Sequence, residues 1–214
     1  FFIIDVILFL VEKKIFNDPN SPLFYPFKAF FIQKLALDYL QSALSPDLQS
    51  YIDDKDITSL RVHFEFDAVN MVPKLYVNRI YQSAKSILSK LNFYENRIPL
   101  SIRRLLAHIS SSQIKINSVF YRDISLANFF FVTCCLLPVV SEPYMIGLDT
   151  TVTPQFVFDD LSNLFFYSNL PHFKPPSSFN LLKMLNAEEF QTCKLVDSLI
   201  KSANLEPISE FHES

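Results

Sequence analysis

Glycine occurs once in the 214 residues, at Gly147, and tryptophan does not occur at all. Folds made of many tight turns need positions with φ > 0, which glycine occupies without steric cost, so a single glycine argues against propellers, barrels and sandwiches. The same scarcity removes the glycine-rich phosphate loops of Walker-type and dinucleotide-binding folds, whose backbones approach phosphates where a Cβ would clash. Charge is sparse as well. With 19 basic and 22 acidic residues the formal net charge is −3, and no cluster of lysine and arginine is present to displace counterions, so no nucleic-acid partner is expected. The three cysteines, Cys134, Cys135 and Cys193, form no CxxC pair and read as reduced core residues of an intracellular protein. His63, His108, His172 and His212 are scattered without a carboxylate at ligand spacing, so no metal and no other cofactor is expected. Asp53, Asp54 and Asp56 read as solvated charge, and the serines at 110 to 112 lack the glycines of a nucleophile elbow. Neither a hydrolase nor a metalloenzyme is indicated.

Half of the residues are hydrophobic, 23 are phenylalanine and only 19% are charged, which excludes disorder as the main state. The longest apolar stretch, Ala127 to Val140, is interrupted by Asn128 and falls short of the roughly 18 to 20 residues that span a bilayer, so it predicts a buried central helix. The opening FFIIDVILFLV contains Asp5 and no cleavage-site pattern, and reads as a cut inside a longer protein.

Apolar residues at spacings of three and four predict an all-α fold. The first helix is expected over Phe2 to Phe16, stopped by NDPNSP at 17 to 22. A second runs from Phe27 to Leu44 and exposes Lys34, Asp38 and Gln41, after which Ser45-Pro46-Asp47 forms a cap and first turn leading into Leu48 to Ile52. Asp53 to Asp67 is a connection in which RVHFEF at 61 to 66 alternates like a short strand. From Val72 to Leu91 the face made by Leu75, Ile80, Ala84, Ile87, Leu88 and Leu91 predicts a long helix. Pro99 opens the next, with Ile102, Leu105, Leu106 and Ile109 buried. The most apolar helix covers Val119 to Leu137 and ends near Pro138, and further helices cover Pro154 to Asn169 and Asn180 to Ala203 on either side of PHFKPPSS. One helical domain over residues 1–205 and a polar tail at 206–214 are expected, with no internal repeat.

The stretch SLANFFFVTCCLLPVVSEPYMIGLD at 125 to 149 resembles the signature of the GTPase-activating domain of Ras GTPase-activating proteins, a family of all-helical domains. The likeness lies in an aromatic helix, Pro138, the apolar pair Val139 and Val140, Pro143, and Gly147-Leu148. Upstream, IPLSIRRLLAHI at 98 to 109 is similar to the family's Pro-x-x-[Leu/Ile]-Arg helix start through Pro99, Ile102 and Arg103. Further upstream, residues 21 to 52 resemble the family's Leu-Phe-Arg loop and its following Tyr-Leu segment, here Tyr39, Leu40, Leu44 and Pro46. The three motifs occur in the family's order, and the resemblance covers roughly residues 1 to 170.

The resemblance implies a small GTPase of the Ras superfamily as partner, no cofactor, and a cytoplasmic location, peripheral to membranes through regions flanking this chain. Related domains also stand at the front of endocytic regulators. Family members insert an arginine finger that neutralises charge on the transferred phosphoryl group, a gain of about 10³ to 10⁵ in rate. Where the family writes Leu-Phe-Arg this chain has Leu23-Phe24-Tyr25, and no arginine occurs between residues 1 and 60. Lys28 is the nearest cation, but an ammonium lacks the planar fork that engages two phosphate oxygens. The family's bracing arginine corresponds to Cys134. No catalytic residue is therefore assigned, and Lys28, Arg103, Arg104, Pro138, Glu142 and Pro143 are the candidate GTPase-binding residues. Two alternatives stay open: an active GTPase activator with its finger from Lys28 or from outside this chain, and a helical protein scaffold that binds no GTPase.

Overall fold

A computed structural model describes residues 32, 36–54, 57, 74–111, 126–151, 153, 155–170 and 185–205. Among these residues the fold is all-α, with no strand. Its helices are α1 (Leu37–Asp53), α2 (Lys74–Phe93), α3 (Leu100–Ser111), α4 (Leu126–Phe131), α5 (Leu137–Ser141), α6 (Gln155–Asn169) and α7 (Cys193–Leu205), joined in part by short 3₁₀ turns. The helix expected over Phe2 to Phe16, the alternating 61 to 66 segment, the proline-rich 171 to 178 segment and the tail at 206–214 lie outside the described residues.

α1 packs on α2, α3 on α4 and α7, and α6 reaches both α2 and α5. Their buried faces form one apolar cluster, and three tyrosines tie the layers together through it. Tyr39 donates to the Leu91 carbonyl at 3.1 Å, Tyr51 to the Val157 carbonyl at 3.0 Å, and Tyr76 to the Asp160 carboxylate. Each places an aromatic body in the core and gives its hydroxyl a partner, which avoids the cost of a buried, unmade hydrogen bond. Burial also pushes the Tyr39 phenol far above its ordinary range, so it stays a neutral donor.

Four expectations change. Ser45-Pro46-Asp47 does not begin a new helix, because α1 runs through Pro46 without a break. A proline inside a helix costs about 3 kcal/mol, yet the buried residues Tyr39, Leu40, Ala43, Leu44, Leu48 and Tyr51 form one stripe across it. Burying each large apolar side chain contributes about 1.5 to 3 kcal/mol, so the stripe outweighs the proline, which sits on the exposed side.

The second change concerns Pro138, which does not end its helix. Val132–Leu136 form a π turn in which the Leu137 N–H bonds back to the Val132 carbonyl, and α5 then carries Pro138 inside it as far as Ser141. The wider turn relieves the clash that a proline ring makes with the preceding turn of a regular α-helix. Thr133 Oγ1 donates to the Phe129 carbonyl at 2.7 Å within the same stretch. Every residue from Ala127 to Leu136 is buried.

In α2 the buried face is Tyr76, Val77, Ile80, Ala84, Ile87 and Leu91, whereas Leu75 is 66% exposed and Leu88 half-buried. Position 76 lies one helical turn before Ile80 and position 75 does not, so register overrides the greater hydrophobicity of leucine. Finally, Asn180 to Ala203 is not one helix. Leu185 and Asn186 are non-helical, Ala187–Phe190 is a 3₁₀ turn capped by the Asn186 side chain, and regular helix starts only at Cys193. The cause is a buried polar node at Thr192. Its N–H and hydroxyl donate to Asn169 Oδ1 at 2.8 and 3.0 Å, and the hydroxyl also meets Asn128 Oδ1 at 2.7 Å. Cys193, beside it, is half-buried rather than a core residue.

The 3₁₀ turn at 187–190 is clamped to α2 at the surface. Lys85 Nζ lies 2.8 Å from Glu189 Oε2, and the Tyr81 hydroxyl donates to the same oxygen at 2.9 Å. Lys85 first and Tyr81 second hold the Glu189 carboxyl below the usual range, while bonding to Glu189 raises Lys85 and Tyr81. A depressed carboxyl pKa stabilises the fold above the ordinary glutamate value and loses that contribution as pH falls through the folded value. The raised lysine pKa contributes below the ordinary lysine value and loses it as pH rises through the folded one. The clamp is thus complete across neutral pH and modest in strength because water screens it. Urea denaturation at about pH 6 and about pH 3.5 is expected to show a smaller acid loss in Glu189→Gln than in the unmodified chain.

Candidate functional site

The segment that carries the sequence signature closes on a small, latched loop. α5 ends at Glu142, whose backbone turns to φ −132°, ψ 68°, and whose N–H bonds to the Pro138 carbonyl at 2.9 Å. Pro143 then opens a 3₁₀ turn through Ile146, where a fixed φ and a missing N–H cost nothing. Gly147 follows at φ 89°, in the left-handed region that L side chains rarely adopt, so the single glycine stands where the backbone requires one. Its N–H and that of Leu148 return to the carbonyls of Tyr144 and Pro143.

Side chains from two other helices pin this loop. Gln41 of α1 donates to the Ile146 carbonyl at 3.1 Å, and Gln155 of α6 donates to the Ser141 carbonyl at 2.8 Å. Beyond the glycine, Asp149 Oδ1 accepts from the Thr151 N–H at 3.0 Å and hydroxyl at 2.7 Å. Those bonds hold the Asp149 carboxyl below the usual carboxylate range. Gln41, Gln155 and Asp149 are the residues sequence reasoning missed. Gln41 had read only as an exposed residue on α1, and its partner is 105 positions away.

The predicted site residues divide between places. Pro138 and Pro143 are buried, so they shape the loop. Glu142 is half-buried and accepts from the Tyr144 hydroxyl at 2.6 Å, and Tyr144 is 53% exposed. Tyr144, Gly147 and Asp149 are the exposed residues between Ser141 and Asp149. Arg103 sits on α3, donating to the Ile98 carbonyl at 3.1 Å and to Ser202 Oγ of α7 at 3.4 Å, so it braces the entrance of its helix. Arg104 beside it is half-buried rather than a fully solvated charge. Tyr25 and Lys28 lie outside the described residues.

Cys134 is fully buried in the π turn with its sulfur 3.8 Å from Thr133 Oγ1. Burial first, and Cys134 second, push the Cys135 thiol well above its ordinary range, so it is an inert packing group. A polar cleft of about 230 Å³ lies between α1 and α2, lined by Asp47, Asp54, Arg79 and Ser86 among others. Asp47 pairs with Lys90 at 2.8 Å and Asp54 with Arg79 at 3.4 Å, leaving the cleft balanced in charge. Among the described residues no group of three His, Cys, Asp or Glu could hold a metal ion, and no helix is long and apolar enough to cross a membrane.

The arrangement is that of an all-α protein with a hydrogen-bonded loop after α5 and no assembled acid, base or nucleophile among its described residues. Comparisons of the chain with protein-family models, with curated proteins and with solved structures return no match.

Proposed function

We propose that the chain is a divergent RasGAP-like module that binds a small GTPase of the Ras superfamily without activating its hydrolysis. The observation that carries this reading is the loop after α5. Its elements follow the order of the signature, namely a buried aromatic helix, a proline, an apolar pair, a second proline opening a turn, and Gly147 in the left-handed region. Gln41 ties that loop to α1, the helix that comes after the finger position in the chain.

Chemistry separates binding from activation. A finger stabilises the transition state when a guanidinium reaches the phosphoryl oxygens in a water-excluded site, and Tyr25 offers a neutral hydroxyl in that place. Arg103 and Arg79 are engaged elsewhere, with Ile98 and Ser202 and with Asp54. On this reading the module acts in cytoplasmic GTPase signalling or endocytic traffic.

Calorimetry against Ras, Rap and Rab proteins loaded with a non-hydrolysable GTP analogue or with GDP tests the reading. Binding that prefers the GTP form and weakens about tenfold in Tyr144→Ala, as truncation of an interface aromatic does, is expected. Absence of binding to any of them in either nucleotide state supports the scaffold reading instead.

A further inference from the structure

At the end of α2 stands the most exposed large apolar side chain among the described residues. Phe93 is 77% exposed and meets Tyr94 edge to face, with ring centroids 5.0 Å apart and an interplanar angle of 86°. The Arg97 guanidinium carbon lies over the same tyrosine ring, 4.9 Å from its centroid. Arg97 Nη1 also donates to Ser42 Oγ of α1 at 3.2 Å. The backbone beneath is fixed by a 3₁₀ turn over Glu95–Arg97, and Ile98, 1% exposed, anchors it in the core.

We propose that this corner of Phe93, Tyr94 and Arg97 docks a segment of a partner protein that presents a carboxylate beside an apolar side chain. Charge decides the choice of occupant. A ring face and a neutral hydroxyl hold the Arg97 guanidinium, and among the described residues no carboxylate pairs with it, whereas Arg79, Lys85 and Lys90 each have one. A guanidinium oriented in this way keeps donors for a two-point bond to a carboxylate, and stacking lowers the ordering cost of making it. Phe93 supplies the adjacent apolar contact. Arginine and aromatic residues together are the side chains that anchor protein interfaces. Leu75, the other strongly exposed apolar residue of α2, has no such cation beside it in the described contacts. The proposal does not rest on the GTPase reading.

The test uses the whole 214-residue chain and a fluorescent, acetylated and amidated octapeptide that alternates aspartate with leucine and phenylalanine. Its counterpart with asparagine for aspartate is the control. Saturable anisotropy is expected, with backbone amide shifts concentrated at Ser42 and residues 93–98. Arg97→Ala and Phe93→Ala are each expected to weaken binding about tenfold, the asparagine peptide to bind about tenfold more weakly, and Arg97→Lys to restore only part of the loss. Both side chains are exposed, so unchanged thermal melting shows that the variants fold. No saturable binding up to millimolar peptide overturns the proposal, as does binding that both alanine variants leave within about twofold. Binding of phosphatidylserine vesicles through Arg97 and Phe93 in place of the peptide overturns it in favour of a membrane contact.

Discussion

Phe131→Ala is expected to destabilise the chain by about 3 to 5 kcal/mol, the range for truncating a fully packed phenylalanine. Phe131 is 1% exposed and stands immediately before the π turn, where every neighbour from Ala127 to Leu136 is buried. Backbone on both sides is committed to helix, so the surroundings can close on the void only in part, and the cavity adds to the lost transfer energy. Chemical denaturation checks it: the midpoint falls while the slope stays the same. Phe130→Ala, at 2% exposure, belongs to the same range. Phe93→Ala serves as an internal comparison, since removing a side chain that is 77% exposed changes stability by no more than about 0.5 kcal/mol. A loss below about 1 kcal/mol for both Phe130 and Phe131 would place this helix at the surface.

Asn169→Leu is expected to cost about 2 to 5 kcal/mol although it adds apolar volume to a buried site. Asn169 Nδ2 donates to the Phe165 carbonyl at 2.9 Å and the Phe190 carbonyl at 3.0 Å, while its Oδ1 accepts both the N–H and the hydroxyl of Thr192. Both amide hydrogens are thus used, while Oδ1 holds the Thr192 N–H and shares the single hydroxyl hydrogen of Thr192 with Asn128 Oδ1. Leucine would leave the Phe190 carbonyl and the Thr192 N–H buried without these partners, and each such group costs about 1 to 3 kcal/mol. The Thr192 hydroxyl would keep Asn128. Thr192→Val is expected to cost less, because it removes a hydroxyl while the backbone N–H keeps Asn169. Urea denaturation of the two variants, compared at the same pH, ranks them, and equal losses would show that the node is not held through Asn169.

The all-helical character was readable because the core is built from faces with uniform spacing. Ile102, Leu105, Leu106 and Ile109 are the buried residues of α3, as spacing predicts. Sequence and structure part where spacing or a single proline is ambiguous. Apolar spacing places Leu75 on the buried face of α2, but Tyr76 and Val77 hold the positions that line up with Ile80 and Ala84. Pro46 reads as the first turn of a new helix and Pro138 as the end of one, yet the apolar stripe continues past each of them. A proline acts locally, and the sum of burial along a helix decides whether the chain tolerates it.

The candidate site was legible in a different measure. Its order of prolines and glycine is a local pattern, and Gly147 takes a left-handed backbone there. The supports of the loop were not legible. A glutamine on an exposed helix face looks the same whether it meets water or a carbonyl 105 residues away. Asn169 and Thr192 carried no pattern either, since polar residues at helix ends usually cap their own helix, whereas these pair across three helices.

The central claim is binding without activation, and single-turnover GTP hydrolysis by Ras, Rap and Rab proteins mixed with this chain tests it most directly. If the proposed reading holds, Tyr25 and Cys134 stand where the RasGAP family carries its finger and brace, and the hydrolysis rate is predicted to rise by no more than about tenfold, far below the roughly 10³ to 10⁵ that an arginine finger supplies. Tyr25→Arg is predicted to raise the rate above that of the unmodified chain, because the guanidinium is the missing charge. Acceleration of about a thousandfold or more by the unmodified chain, abolished by Lys28→Ala, would contradict the account and identify an active GTPase activator.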